Sequence, residues 1–234
     1  LRTSDSIGRF LPGVPPDKRP ITIADLMHHR SGLPRYGFDL ERRDWAVESR
    51  DQSVRGILGS LLTRAPGSEF DYQNSNYVLL AAIVEQVAGS TLEAFLERRF
   101  FRPAGMHDTY AGTKITPSLR ERVVWSLGDP AEVFTILDRP PSYLRMGRGV
   151  VTTARDLHRW LRMLTTGPLL SEATRRKLFT IGAELGPQYG YGGGWFIRSA
   201  STGSPRIVFH RGDLGGYRSE IRLALPSGRI VIAL

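Results

Sequence analysis

The feature that most constrains this chain is a change of texture near residue 182. Before it, apolar residues recur at helical spacing behind Ser, Thr and Asp. Beyond it, Tyr217, Ser219, Ile221, Leu223 and Leu225 alternate with Arg218, Glu220 and Arg222. That period of two describes a strand with one wet face. "PSG" at 226–228 is a turn signal, so a second antiparallel strand follows. Helices first and antiparallel strands last predict an α/β (α+β) chain, a helical region packed beside an antiparallel sheet. The expected organisation is a proline-punctuated lead-in over 1–20, a mainly helical region over 21–182 and antiparallel strands over 183–234. With 234 residues the chain can bury a substantial core, as one large domain or two closely packed ones.

Helix boundaries are marked locally. Thr22 and Asp25 form a capping pattern before a short helix ending near "HHRSGLP". Ser53 is expected to cap "VRGILGSLLTR", and an apolar helix over 76–88 is expected to end at Gly89. Ser90 with Glu93 is expected to open "AFLERRFF", closed by Pro103, and Thr153 with Asp156 to open "ARDLHRWLRML". Ser171 is expected to cap "EATRRKLF".

Several functional classes fall away. Cysteine is absent, which removes disulfides, thiolate nucleophiles and cysteine-ligated metals. The net charge of +9 raises nucleic acid as a partner, but acids interleave the arginines and no basic block exceeds "RRK" at 175–177. No nucleic-acid partner is expected. The run Tyr77 to Val84 is far too short for a membrane span. His28 and His29 are adjacent, so they point about 100° apart on a helix and cannot share one ion, and no His-x-x-x-His pair exists. No metal and no cofactor are expected; His29 is read as fastening the "SGLP" turn. The arginines at 155, 159 and 162 read as a solvated helix face.

Two stretches carry chemistry. In "EFDYQNSNYVLL", any of Asn74, Ser75 or Asn76 suffices as a helix cap. Tyr72 lies just before the helix, where the dipole favours a phenolate, and a tyrosine so placed can take a proton from a hydroxyl nucleophile. The alternative reading is structural. In "VFHRGDLGGYRS", His210 and Gly212 sit at a strand end, with Gly215 and Gly216 close behind. Glycines there let a strand edge approach a ligand, and edge N–H groups can serve an oxyanion; the alternative is a bulge before a hairpin.

Taken in order, these pieces resemble the serine β-lactamase-like superfamily, in its branch of class C β-lactamases, D-alanyl-D-alanine carboxypeptidases and related esterases. "ITIADLMHHRSGLP" is similar to the family segment ending in His-Thr-Ser-Gly. "FDYQNSNYVLLAAIVEQVAG" resembles the Tyr-x-Asn motif and its helix, and "FFRPAGMHDT" and "RGVVTTARDLHRWLRML" resemble two further segments. "HRGDLGGYRSEIRLALPSGRIVIAL" is similar to a His-x-Gly version of the Lys-Thr-Gly motif. The resemblance runs collinearly from about Ser4 to Leu234. It implies Tyr72 as general base or proton relay, and Asn74 bonded to the substrate's acyl side or the catalytic lysine. It also implies His210 and Gly212 on the far wall of a cleft, and the Asp213 N–H as one oxyanion donor. The implied partner is a small-molecule acyl substrate.

The same resemblance implies a nucleophilic serine in Ser-x-x-Lys. Only Lys18, Lys114 and Lys177 are present, and three residues before them stand Pro15, Ala111 and Thr174. The expectation is a chain that lacks this segment and the family's C-terminal helix, truncated at both ends and inactive alone, within a protein that forms an acyl-enzyme on esters, D-amino-acid peptides or β-lactams. The alternative is a non-catalytic binding or regulatory module that keeps the cleft.

Overall fold

The structure, a computed structural model, describes residues 1–35, 49–111, 121, 150–214, 217–225 and 227–234. Lys114, Gly215, Gly216 and Pro226 therefore lie outside the described residues. Two compact units are formed, one within 1–95 and one within 96–234, so the expected helical region over 21–182 is divided between them.

In the first unit, α1 (Ile23–Met27) opens as its residues dictate. Thr22 Oγ1 accepts the Asp25 N–H (3.1 Å) and Asp25 Oδ2 accepts the Thr22 N–H (2.9 Å). Helix α2 (Arg50–Gly59) is capped by Ser49, not Ser53, which lies buried within it. The reason is reciprocity: Gln52 returns a bond to the Ser49 N–H (2.6 Å), and Gly56 offers Ser53 no such partner. Helix α3 (Asn74–Ala88) ends on Gly89 in left-handed conformation (φ 61°). Its apolar face, with Val78, Leu79 and Ile83, packs with Leu26 of α1, Ile57 of α2, Ile7 of the lead-in and Ile21 just before α1. Before α4 (Leu92–Leu96), Thr91 rather than Ser90 accepts the Ala94 N–H (3.2 Å), and Glu93 pairs with Arg50 (3.4 Å).

In the second unit, a π turn (Glu97–Phe101) leads into α5 (Arg102–Ala104). Pro103 does not close the helix as expected; it occupies the first turn, where a missing N–H leaves no gap, and Gly105 (φ 68°) makes the stop. A short ribbon pairs β1 (Tyr110–Ala111) with β2 (Val150–Val151). Helices α6 (Ala154–Thr166) and α7 (Glu172–Leu178) are capped by Thr153 and Ser171, each accepting an N–H three residues on. Asp156 is fully buried and accepts from the Asp108 N–H (2.8 Å), Thr109 Oγ1 (2.9 Å) and Arg159 (2.8 Å). Arg155 and Arg162 are exposed, but Arg159 is half-buried and bonded, which corrects the reading of one solvated stripe.

Six strands follow in an antiparallel meander: β3 (Ala183–Gly186), β4 (Tyr189–Gly192), β5 (Trp195–Arg198), β6 (Arg206–Leu214), β7 (Tyr217–Leu225) and β8 (Arg229–Ala233). Leu161 and Leu164 of α6 share a core with Trp195, Ile197, Val208 and Leu223 of the sheet. The turn between β7 and β8 places Gly228 at φ 70°, as the "PSG" signal requires. Helices with an antiparallel sheet are thus the observed architecture.

Candidate active site

The first unit fixes Tyr72 and Asn74. Tyr72 precedes α3 and is 40% exposed. None of Asn74, Ser75 or Asn76 caps the helix, contrary to expectation. Gln73 is the N-cap and makes no side-chain cap bond, and Asn74 is the first helical residue. The polar side chains at the helix mouth reach across to the loop after α1 instead. Ser75 Oγ donates to the Pro34 carbonyl (2.7 Å). Asn76, 1% exposed, accepts from Ser31 Oγ and donates through Nδ2 to the Gln73 carbonyl (3.0 Å) and to His29 Nδ1 (3.1 Å). Ser31 Oγ in turn accepts the Leu33 N–H (3.2 Å).

His29 is the hub of this arrangement. It is 1% exposed and holds a left-handed backbone (φ 54°), unusual outside glycine. Its carbonyl accepts the Asp71 N–H (2.8 Å), and its Nδ1 accepts the Gln73 N–H (3.1 Å). Its ring lies 4.2 Å from that of Tyr72, tilted 34°, and 5.1 Å from that of Tyr77. The sequence identified His29 as a turn fastener; its contact with Tyr72 was missed, because nothing local links positions 43 residues apart. The one available signal was a non-glycine residue before "RSG", where a helix ends and the backbone must reverse.

The second unit fixes His210, Gly212 and Asp213 on β6. They do not form a bulge: β6 pairs with β7 in unbroken register from Arg206↔Leu225 to Leu214↔Tyr217. Pairing with β5 runs only from Arg198↔Ile207 to Phe196↔Phe209. Among the described residues, the stretch from His210 onward therefore has a strand partner along one edge alone. His210 is half-buried, 5.6 Å from the Phe196 ring, and its Nδ1 meets the Arg211 carbonyl at 2.7 Å. A carbonyl only accepts, so Nδ1 carries the proton and Nε2 of the neutral ring is an acceptor. Burial pushes the His210 pKa down, with the Arg211 carbonyl opposing more weakly. The ring is accordingly neutral near pH 7. Two cations beside it face acids: Arg211 lies 3.4 Å from Glu220 and Arg218 3.5 Å from Asp213, across the hairpin. Among the described residues no group of three His, Asp or Glu is placed to hold a metal ion, and no single helix is long and apolar enough to cross a membrane.

Helices joined to an antiparallel meander with these motifs define the fold of the penicillin-binding proteins. A penicillin-binding protein from Bacillus halodurans superposes with a TM-score of 0.82 at 22% identity, covering 99% of this chain and 73% of that one. The D-amino acid amidase of Ochrobactrum anthropi SV3 gives 0.80 at 22% identity over 99% and 69%. The family itself follows from sequence: the Beta-lactamase family model matches residues 1–234, and the chain belongs to that family. Penicillin-binding protein 4* of Bacillus subtilis (strain 168) is 29% identical over 233 residues, 93% of this chain and 51% of that protein. The chain thus spans about half the length of the curated relatives it matches.

Proposed function

We propose that this chain is part of a serine hydrolase that works by two-step acyl transfer, with the nucleophilic serine and its lysine outside these 234 residues. No residue triplet before Lys18, Lys114 or Lys177 begins with serine. The hydroxyl nucleophile attacks an acyl carbon as Tyr72 takes its proton directly or through a relay; the alcohol or amine leaving group departs with that proton, and water then hydrolyses the acyl-enzyme to the acid and the free hydroxyl. Asn74 orients the acyl side of the substrate or the lysine. His210 and Gly212 bound the substrate, and the Asp213 N–H supports the developing oxyanion.

The observation that carries this reading is Tyr72 itself: a part-exposed phenol whose two neighbours in sequence are bonded to one buried residue. Such fixing suits a proton-transfer group, which tolerates little displacement. His210 supports a preference among substrate classes. A lysine at that position supplies a permanent cation for a substrate carboxylate, whereas a neutral imidazole does not. Esters and D-amino-acid peptides are therefore favoured over β-lactams.

The test is to read about 60 codons upstream of Leu1 and express the longer product. Ser-x-x-Lys or Thr-x-x-Lys should be present, and Tyr72→Phe should lower kcat on a chromogenic ester by roughly 10²–10⁴. The 234-residue chain alone should show no turnover. Absence of the upstream motif would favour a non-catalytic binding module. Turnover by the isolated chain, lost on Tyr72→Phe, would refute the missing-nucleophile proposal.

A further inference from the structure

We propose that His29 is a positioning residue for Tyr72, holding the phenol in place through both of its sequence neighbours and its ring. This rests on the reading of Tyr72 as the base. Left-handed backbone at a non-glycine residue is unfavourable and persists where surrounding bonds over-determine it. At His29 they do. Turning the backbone there aims the carbonyl at Asp71 (2.8 Å) and the imidazole at Gln73 (3.1 Å), the residues on either side of Tyr72. The chain around the phenol is thus gripped at two points by one buried residue. The Tyr72 ring rests on the imidazole at 4.2 Å, while Tyr77 and Phe70 wall the imidazole itself at 5.1 and 5.9 Å. A backbone N–H only donates, so His29 Nδ1 must be unprotonated to hold Gln73, and Asn76 Nδ2 supplies a second donor to the same nitrogen.

Tyr72 cannot satisfy this demand from its own helix, since the N-cap Gln73 makes no side-chain cap bond. Proton transfer tolerates little displacement, and a shift of about 1 Å can cost roughly a hundredfold in rate. His29 therefore sets the rate of proton transfer without touching substrate.

The two conservative substitutions separate its functions. His29→Asn puts an amide oxygen close to where Nδ1 lies, and asparagine tolerates left-handed backbone. His29→Gln reaches the Nε2 position and leaves the Gln73 N–H without its acceptor. In the longer protein, kcat on a chromogenic ester should fall by roughly 10- to 100-fold in His29→Gln with KM within about twofold, and by less than about fivefold in His29→Asn. The ring-current shift of the Tyr72 ring protons, read by NMR in the same protein, should move in both variants because both lose the imidazole face. Equal losses in the two variants that track melting temperature alone would overturn the proposal, as would an unmoved Tyr72 resonance. If Tyr72→Phe retains full kcat while the resonance moves as expected, the base assignment fails and the packing of Tyr72 on His29 stands.

Discussion

Asn76 offers the sharpest test of what the polar mouth of α3 is for. If its amide were a helix cap, Asn76→Asp would be neutral or stabilising, because aspartate caps as well as asparagine and its charge suits the helix N-terminus. The structure predicts the opposite. Nδ2 faces two acceptors, the Gln73 carbonyl at 3.0 Å and His29 Nδ1 at 3.1 Å, at a residue 1% exposed. Aspartate keeps the shape but turns both donor bonds into acceptor–acceptor contacts and buries a charge with no cation among its bonded neighbours.

Alanine sets the scale. It removes three bonds, worth about 1 kcal/mol each net, and leaves the buried Ser31 hydroxyl without its acceptor, while alanine's helix propensity returns about 0.5 kcal/mol. Gln73 O keeps the bond from the Asn76 backbone N–H (3.2 Å), and His29 Nδ1 keeps that from Gln73. The expected cost is about 2–3 kcal/mol, or roughly 10–15 °C in Tm for a unit of about 100 residues. Asn76→Asp should exceed it, at about 4 kcal/mol or more near pH 7.5, and the gap should narrow on acidification as the buried carboxylate takes up a proton. Urea and thermal unfolding followed by circular dichroism measure all three proteins. Asn76→Asp at or above wild-type stability would refute the proposed hydrogen-bond assignment.

Other positions give further tests. Gly32→Ala should cost more than about 3 kcal/mol and lower soluble yield, because the position has φ 73° and a Cβ there would meet the Arg64 carbonyl oxygen at 2.1 Å. Asp156→Asn should cost about 3 kcal/mol by chemical denaturation, since one of its two oxygens, each facing a donor, becomes a donor itself. Burial lowers the pKa of His210, so the unfolded chain binds a proton there more readily than the folded one. Stability from this group is therefore full above the unfolded value of about 6.5 and is lost as pH falls from there toward the lower folded value. His210→Gln should flatten the stability profile in that window, and an unchanged slope would contradict the burial described.

Legibility divided along a physical line. Features decided within four residues were readable: the Thr22, Thr153 and Ser171 caps, the Gly89 stop and the β7–β8 hairpin. Errors arose where two local candidates competed. Ser49 displaced Ser53 because Gln52 completes its box, and Gly105 displaced Pro103 because a proline in a first helical turn forfeits nothing. Those choices were present in the sequence but needed both partners to be weighed. The collinear order of motifs made the family legible even though each motif alone is weak.

The helix mouth belongs to a different category. Ser75 binds Pro34 and Asn76 binds Ser31 and His29, partners 41 to 47 residues away, so no spacing rule within α3 could find them. A run of amides before an apolar helix satisfies the capping rule too easily, and the helix leaves its side-chain cap unused because those side chains are engaged elsewhere. This reassignment strengthens the case for Tyr72. Had Asn74 to Asn76 merely capped α3, they would have fixed the helix start alone and left the loop after α1 without their bonds. Instead the residues on both sides of Tyr72 are bonded to the loop after α1, and Gly32 in that loop approaches the Arg64 backbone too closely for any other side chain. The "HRSGLP" and "DYQNSNY" segments therefore act as one structural unit, so substitutions in the first should alter chemistry assigned to the second.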